Sequence, residues 1–204
     1  MDIIRVDQQI LVGIRPIEHV DEAALFASEV AAMGRAVLKV RRQSGAARII
    51  ARTLLGTLGF PPMSILKTQS GVPIWPVGIV GSLAHHDTVA AAAIAETKAI
   101  GALGIDVEPN EPLPSGLIDL IATSREKRMY DSRLLRRRDL FVLKEAVYKA
   151  FFPLCNETLE FQDVEIDIDS TVAYVPKANC TFSIQIHRSK NVIGLAYLKR
   201  PDRR

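Results

Sequence analysis

The segment Gly104-Ile-Asp-Val-Glu-Pro109 sets two carboxylates two positions apart in a stretch that otherwise reads as a buried strand. Side chains at i and i+2 of a strand share a face, so Asp106 and Glu108 are expected side by side and outward, with Ile105 and Val107 toward the core. Two unit charges about 5 Å apart repel by roughly 3 kcal/mol at an effective dielectric of about 20. A fold keeps such a pair only where water solvates it or a cation sits between the two. Any architecture for this chain must therefore set one face of this strand against solvent or positive charge.

Further along, Lys144-Glu-Ala-Val-Tyr-Lys-Ala150 adds a third carboxylate flanked by lysines. Phe141, Glu145, Tyr148 and Phe152 recur at i, i+4, i+7 and i+11, which is one face of a helix, while Lys144 and Lys149 lie off that stripe. A carboxylate within an aromatic stripe is costly unless it is paired or ligates a metal. Two readings stay open from the residues alone, a salt bridge at the rim of the core and a shared cation site. For the second, Mg²⁺ is the natural ion, since it takes hard oxygen ligands from one or two carboxylates together with substrate phosphates. Asp106, Glu108 and Glu145 would supply the carboxylates, and Lys144 and Lys149 would neutralise phosphates.

With 204 residues, 48% of them hydrophobic and 24% charged, the chain is long enough for one domain or two small ones and has no signature of disorder. The balance of 26 Lys and Arg against 23 Asp and Glu is too even to argue for nucleic acid, and it suits an acidic partner or a phosphate-rich ligand. Cys155 and Cys180 form neither a metal-ligand pair nor a disulfide framework. The start MDIIRVDQQI carries acids and lacks the apolar centre of a signal peptide, and no apolar run approaches a membrane span. A soluble, cytoplasmic protein that engages neither membrane nor nucleic acid is the expectation. P-loop, G-x-G-x-x-G, G-x-S-x-G and H-E-x-x-H patterns are missing, which argues against Walker-type ATP chemistry, Rossmann cofactors, serine hydrolysis and zinc proteolysis.

Periodicity predicts a strand over 10–14, a helix over 20–33 and a second helix over 46–58 that stops at Gly59 and Pro61-Pro62. The proline-rich 71–76 segment reads as a loop or edge. Strands over 79–85, 88–95 and 102–108 are expected to pair as a small sheet. Helices follow over 117–122, 124–130 and 134–152, and alternating strands over 164–168, 182–186 and 192–198, the last two joined by a Ser189-Lys190-Asn191 hairpin. Residues 200–204 read as a frayed tail. Strands and helices in mixed order argue for an α+β fold over a doubly wound parallel sheet. No sequence repeat is visible, but the prolines at 109, 112 and 114 mark a break that suggests two halves, 1–108 and 109–204.

Two further groups are candidates for anion contacts. His85 ends a strand, where it reads either as a surface residue or as a phosphate or ribose contact. Arg41, Arg42, Arg48 and Arg52 cluster around the second helix, either as a solvated face or as a clamp for a second phosphate, for which the arginine fork is suited.

Taken in order, these pieces resemble the Sfp-type 4′-phosphopantetheinyl transferases, and more specifically the enterobactin-synthesis branch. The matching segments are Arg48 with its helix, Gly71-x-Pro73-x-Trp75-Pro76, Gly81-Ser-Leu-Ala-His85, Gly104-Ile-Asp-Val-Glu108 and Phe141-x-x-Lys-Glu-Ala-x-x-Lys149. The paired G-[IV]-D-[IV]-E and K-E-[AS]-x-x-K elements carry the specificity. The resemblance implies two similar α+β halves in a pseudo-twofold arrangement with the active site between them. It implies transfer of the phosphopantetheine arm of coenzyme A to a serine of an apo acyl, peptidyl or aryl carrier protein, with Mg²⁺ as cofactor. By the same resemblance Asp106, Glu108 and Glu145 hold the metal, and Glu145, Lys149 and Asp106 are catalytic. Arg41, Arg48, Arg52, Gly71, Pro73, His85, Lys144 and Lys149 contact coenzyme A, with Arg48 and Arg52 competing for one phosphate. The chain departs from the family pattern at Ala47, Ala84 and Val142, where Gly, Ser or Thr, and Ser are usual. A monomer is implied. The alternatives are a Mg²⁺-dependent nucleotide pyrophosphatase and a catalytically silent carrier-binding homologue.

Overall fold

The computed structural model describes residues 1–130 and 138–201. The chain divides into two compact units, Met1–Ile100 with the extreme C-terminal residues, and Gly101–Arg200. The division falls ahead of the acidic strand, not after it as the 109–114 prolines suggest. Asp106 and Glu108 therefore belong to the same unit as Glu145.

The first unit holds an antiparallel sheet in the order β1-β2-β4-β3, built from β1 (Asp2–Val6), β2 (Ile10–Pro16), β3 (Ile79–His85) and β4 (Val89–Glu96). Its core forms where α2 (Leu38–Thr57) lays Ala46, Ala47, Ile50, Ala51, Leu54 and Leu55 against Leu11, Ala90, Ala92 and Ile94. Gly13 permits this approach, since a Cβ there would lie 2.4 Å from Ile50 Cγ2. The helix starts eight residues before the expected 46, so the basic run Lys39, Arg41, Arg42 lies on it. The helix expected over 20–33 is instead a 3₁₀ turn, Asp21–Ala24, followed by α1 (Ala27–Met33). Its acids explain the break: Glu29 Oε2 accepts from the backbone N–H of Phe26 at 2.8 Å, and Asp21 Oδ2 from that of Glu18 at 2.7 Å. Carboxylates that cap new turns compete with a continuous helix.

In the second unit, β5 (Ile100–Pro109) joins a five-stranded sheet in the order β5-β9-β8-β7-β6, with β6 (Glu165–Asp167), β7 (Val172–Val175), β8 (Cys180–Arg188) and β9 (Asn191–Lys199). The expected pairing of β5 with β3 and β4 is thus corrected. The hairpin between β8 and β9 forms as read, with Ser189 N–H donating to Asn191 O at 2.9 Å. Short helices α3 (Ile118–Ile121) and α4 (Ser124–Met129) lead to α5 (Asp139–Cys155), while the expected helical residues 134–137 and tail residues 202–204 lie outside the described residues. Gly104 and Gly194 seat α5 on the sheet. A Cβ on Gly104 would stand 2.0 Å from Ala146 O, and one on Gly194 would stand 2.8 Å from Val142 O. Val142 and Ala146 are one turn apart, so the helix backbone rests on β5 and β9 through two side-chain-free positions.

The core face of α5 is Leu140, Leu143, Val147 and Ala150, at i, i+3, i+7 and i+10. The stripe of Phe141, Glu145, Tyr148 and Phe152 is half-buried and flanks the core. Lys144 is the inward charge at 1% exposure, with Nζ donating to Glu126 Oε2 at 2.8 Å, Ile121 O at 2.8 Å and Phe161 O at 2.9 Å.

Each unit is pinned by a buried glutamate at the third position of a short helix. In the second unit Glu126, 0% exposed, also accepts from the backbone N–H groups of Thr123 at 2.8 Å and Ile166 at 2.7 Å. In the first unit Glu29, 1% exposed, accepts from Phe26 N–H, from Ile65 N–H at 2.7 Å, and from Arg52 Nη1 at 3.1 Å, with Arg48 Nε at 3.2 Å.

Removing Glu126 strands the Lys144 ammonium in the core. Glu126→Ala is expected to destabilise the protein by about 3–5 kcal/mol in chemical denaturation. Gly104→Ala forces backbone against backbone, and a loss of about 3 kcal/mol or more is expected in the same measurement.

Candidate active site

Strand alternation and helix rotation together assemble the acidic cluster. Ile105 and Val107 are fully buried on one face of β5, and Asp106 and Glu108 share the other. That face is not bathed in water: Asp106 is only 7% exposed. Each acid carries a protein cation. Lys149 Nζ lies 2.7 Å from Asp106 Oδ1, and Arg138 Nη1 lies 2.6 Å from Glu108 Oε2. Lys149 stands one helical turn after Glu145, on the same side of α5.

Glu145 completes the group. Burial pushes its carboxyl above the usual carboxylate range, the nearby charges of Asp106 and Glu108 push it further, and Lys149 pulls it back. Asp106, Glu108 and Lys149 therefore all act on Glu145, as expected for a carboxyl whose protonation is tuned. A cavity of about 300 Å³ adjoins, lined by Glu145, Tyr148, Thr158, Leu159 and Phe161, among others. Three carboxylates make a hard-oxygen donor set suited to Mg²⁺. Among the described residues, no three His, Cys, Asp or Glu side chains are already gathered around one ion position, because Asp106 and Glu108 turn toward Lys149 and Arg138.

The sequence-derived residues separate into three groups. Asp106, Glu108, Glu145 and Lys149 come together as expected. Lys144 lines the same cavity, but its three donors are spent on Glu126 and two backbone carbonyls, so its assignment to a pyrophosphate contact is corrected to an anchor of α5. The remaining residues belong to the first unit. Arg48 (4% exposed) and Arg52 do not compete for one phosphate in this structure; both engage Glu29. Arg48 Nε also donates to Ile65 O at 3.0 Å, and burial lowers the proton affinity of its guanidinium. Arg41 Nη2 donates to Gly34 O at 2.9 Å, while its Nε is buried with no hydrogen-bond partner. His85 is exposed at the end of β3. Gly71 sits at φ +86°, a left-handed conformation suited to glycine, in a turn closed by Thr68 N–H donating to Val72 O at 2.9 Å, and Pro73 bridges to Lys67.

Sequence reasoning missed Arg138, Glu29 and Glu126. The basic run Arg136-Arg137-Arg138 ahead of the long helix was the available signal for the first. A helix-start glutamate three residues after Thr123 was the signal for Glu126.

Two α+β units, the second bearing an acid cluster beside a cavity, are thus the features to set beside known proteins. Residues 28–95 match the family model for the 4′-phosphopantetheinyl transferase N-terminal domain, and residues 102–196 match that for the 4′-phosphopantetheinyl transferase superfamily. The chain belongs to that superfamily. It is 38% identical over 71% of its length to the 4′-phosphopantetheinyl transferase Svp of Streptomyces mobaraensis, of which it spans 61%. It is 36% identical to Npt of Nocardia iowensis, over 83% of this chain and 78% of that one. With PptT of Mycobacterium tuberculosis it shares 40% identity over 78% of this chain and 69% of the relative. Both relatives also bear the name 4′-phosphopantetheinyl transferase. No helix among the described residues is long and apolar enough to cross a membrane.

The electrostatics of Glu145 can be read directly. In the metal-free protein, side-chain ¹³C NMR is expected to show Glu145 titrating above an ordinary glutamate. Asp106→Asn should bring it down, and Lys149→Ala should send it higher. Because its folded value is raised, Glu145 contributes stability that is present below the ordinary carboxylate value and lost as pH climbs through the raised one.

Proposed function

We propose that this chain transfers the 4′-phosphopantetheine arm of coenzyme A to a serine hydroxyl of an apo acyl, peptidyl or aryl carrier protein. The observation that carries the reading is the joint placement of Asp106, Glu108, Glu145 and Lys149, in a chain whose relatives are named for this transfer. Phosphoryl transfer depends mainly on positioning and charge neutralisation, and a cluster of three acids and a lysine supports both.

Asp106, Glu108 and Glu145 would hold Mg²⁺ on the pyrophosphate, where the ion supplies charge neutralisation. In the reaction, the serine Oγ forms a bond to the phosphorus that carries the pantetheine. The bond from that phosphorus to the oxygen of adenosine 3′,5′-bisphosphate breaks, and the bisphosphate leaves with the electron pair. The serine proton passes to Glu145, directly or through a water, and its raised proton affinity suits a general base working near neutral pH. Lys149 neutralises the charge that develops on the leaving oxygen. The cavity beside Glu145, with Leu159, Phe161, Val164 and Tyr148 in its wall, suits the pantetheine arm, and Thr158 offers a hydroxyl to its amides. On the first unit, His85, Arg41 and the 71–73 loop are proposed for the nucleotide. The buried, unpartnered Nε of Arg41 supports an anion there. Siderophore, polyketide and nonribosomal peptide carriers all fit, the first following the resemblance to the enterobactin-synthesis branch. The cytoplasm, as a monomer, is the proposed setting.

Mass spectrometry of an apo carrier domain incubated with the protein, coenzyme A and Mg²⁺ tests the reading. The carrier is expected to gain one phosphopantetheine, and the gain should vanish when the metal is chelated. Hydrolysis of coenzyme A without a mass change in several carriers would instead identify a pyrophosphatase, and no change in either would identify a silent homologue. Glu145→Gln is expected to lose at least about a hundredfold in turnover while keeping its fold, in line with loss of a general base. Turnover close to the parent protein would remove Glu145 from that role.

A further inference from the structure

Lys149 has a place in the proposed reaction, but the second cation of the cluster has none. Arg138 stands at the head of α5 with Nη1 2.6 Å from Glu108 Oε2, and its Nε donates to Glu111 O at 3.1 Å. One guanidinium thus joins a carboxylate at the end of β5 to the backbone just beyond it. The pair is well shielded, with side-chain exposures of 18% and 16%, so it is not an ordinary surface ion pair. A fork-shaped cation of this kind fixes a carboxylate in direction as well as in charge.

We propose that Arg138 is a positioning residue that stands in for the divalent cation at Glu108. It holds this carboxylate in one orientation, and it must yield the carboxylate when the metal binds. The proposal rests on the metal reading given above. It follows from the arrangement, which among the described residues gathers no three acids around one point while Glu108 faces a protein cation. A dication repels a neighbouring guanidinium, and this repulsion outweighs the ordering of one glutamate that the arginine provides. Loss of the positive charge should therefore tighten metal binding, the reverse of what a purely supporting residue would give.

Mn²⁺ is the probe, with affinity read by electron paramagnetic resonance or calorimetry on the full chain. The set is the parent protein, Arg138→Gln, Arg138→Met as a second neutral variant, Arg138→Lys, and Arg125→Gln as a control. Arg125 pairs with Glu165 in the same unit and not with an acid of the cluster. Circular dichroism confirms that each variant is folded. The neutral variants are expected to bind Mn²⁺ about tenfold more tightly, while Arg138→Lys and Arg125→Gln stay within about twofold of the parent. Unchanged or weaker binding in a folded neutral variant overturns the inference and leaves the metal reading standing. A parent protein that binds no Mn²⁺, with or without coenzyme A, overturns both.

Discussion

A buried carboxylate at the third residue of a short helix organises each unit. Burying an ion is costly unless its lone pairs are filled, and a pair left half-made costs several kcal/mol. Glu29 and Glu126 meet that demand in the same way. Each caps its own helix, accepts a cation from the long helix that follows, and accepts a backbone N–H from the chain beyond that helix, at Ile65 or Ile166. One side chain thereby fixes the start of a short helix, the rotation of a long one and the path of the returning chain. The two units share this connectivity although no sequence repeat announces it, and the cations differ, arginines in one and a lysine in the other.

The geometry of the acid cluster is downstream of that clamp. Lys144 is drawn into the core by Glu126, and one residue on, about 100° around the helix, Glu145 is turned out toward the acids of β5. The two glycines beneath α5 set its height. With Gly104 directly before Ile105 and Asp106, the same stretch that lets the helix approach delivers the carboxylates it must meet. Rotation comes from a buried ion pair and distance from missing side chains, so neither depends on the ligand.

Much of this was legible in the sequence, and the exceptions have definite causes. Alternation placed β2, β3, β8 and β9, and the shared face of Asp106 and Glu108 followed from the strand period alone. Strand partnership did not follow, because an apolar strand such as β5 carries no local signal that selects one sheet over another. The inward face of α5, Leu140, Leu143, Val147 and Ala150, went unassigned because the aromatic residues drew the reading to a flanking stripe, and because a lysine is not expected at a core position. Lys144 becomes acceptable there only through Glu126, a partner eighteen residues away that no local period reveals. The same blindness hid the burial of Arg48 and Arg52 against Glu29.

The charge count of the cluster says why its acids are worth keeping together. Three carboxylates, Asp106, Glu108 and Glu145, face two cations, Lys149 and Arg138. With all of them ionised the sum is −1, and the shortfall falls on the carboxyl whose proton affinity is raised, Glu145. A proton on Glu145 brings the sum to zero, and in the proposed reaction that proton is the one serine gives up. A dication would instead carry the sum from −1 to +1, which favours an anionic pyrophosphate and holds Glu145 ionised to act as the base. In the proposed reaction proton, metal and pyrophosphate would thus be linked through a single electrostatic balance. On this reading Lys149 and Arg138 offset the repulsion between Asp106 and Glu108 in the protein alone, and a metal with its pyrophosphate would take over that balance together.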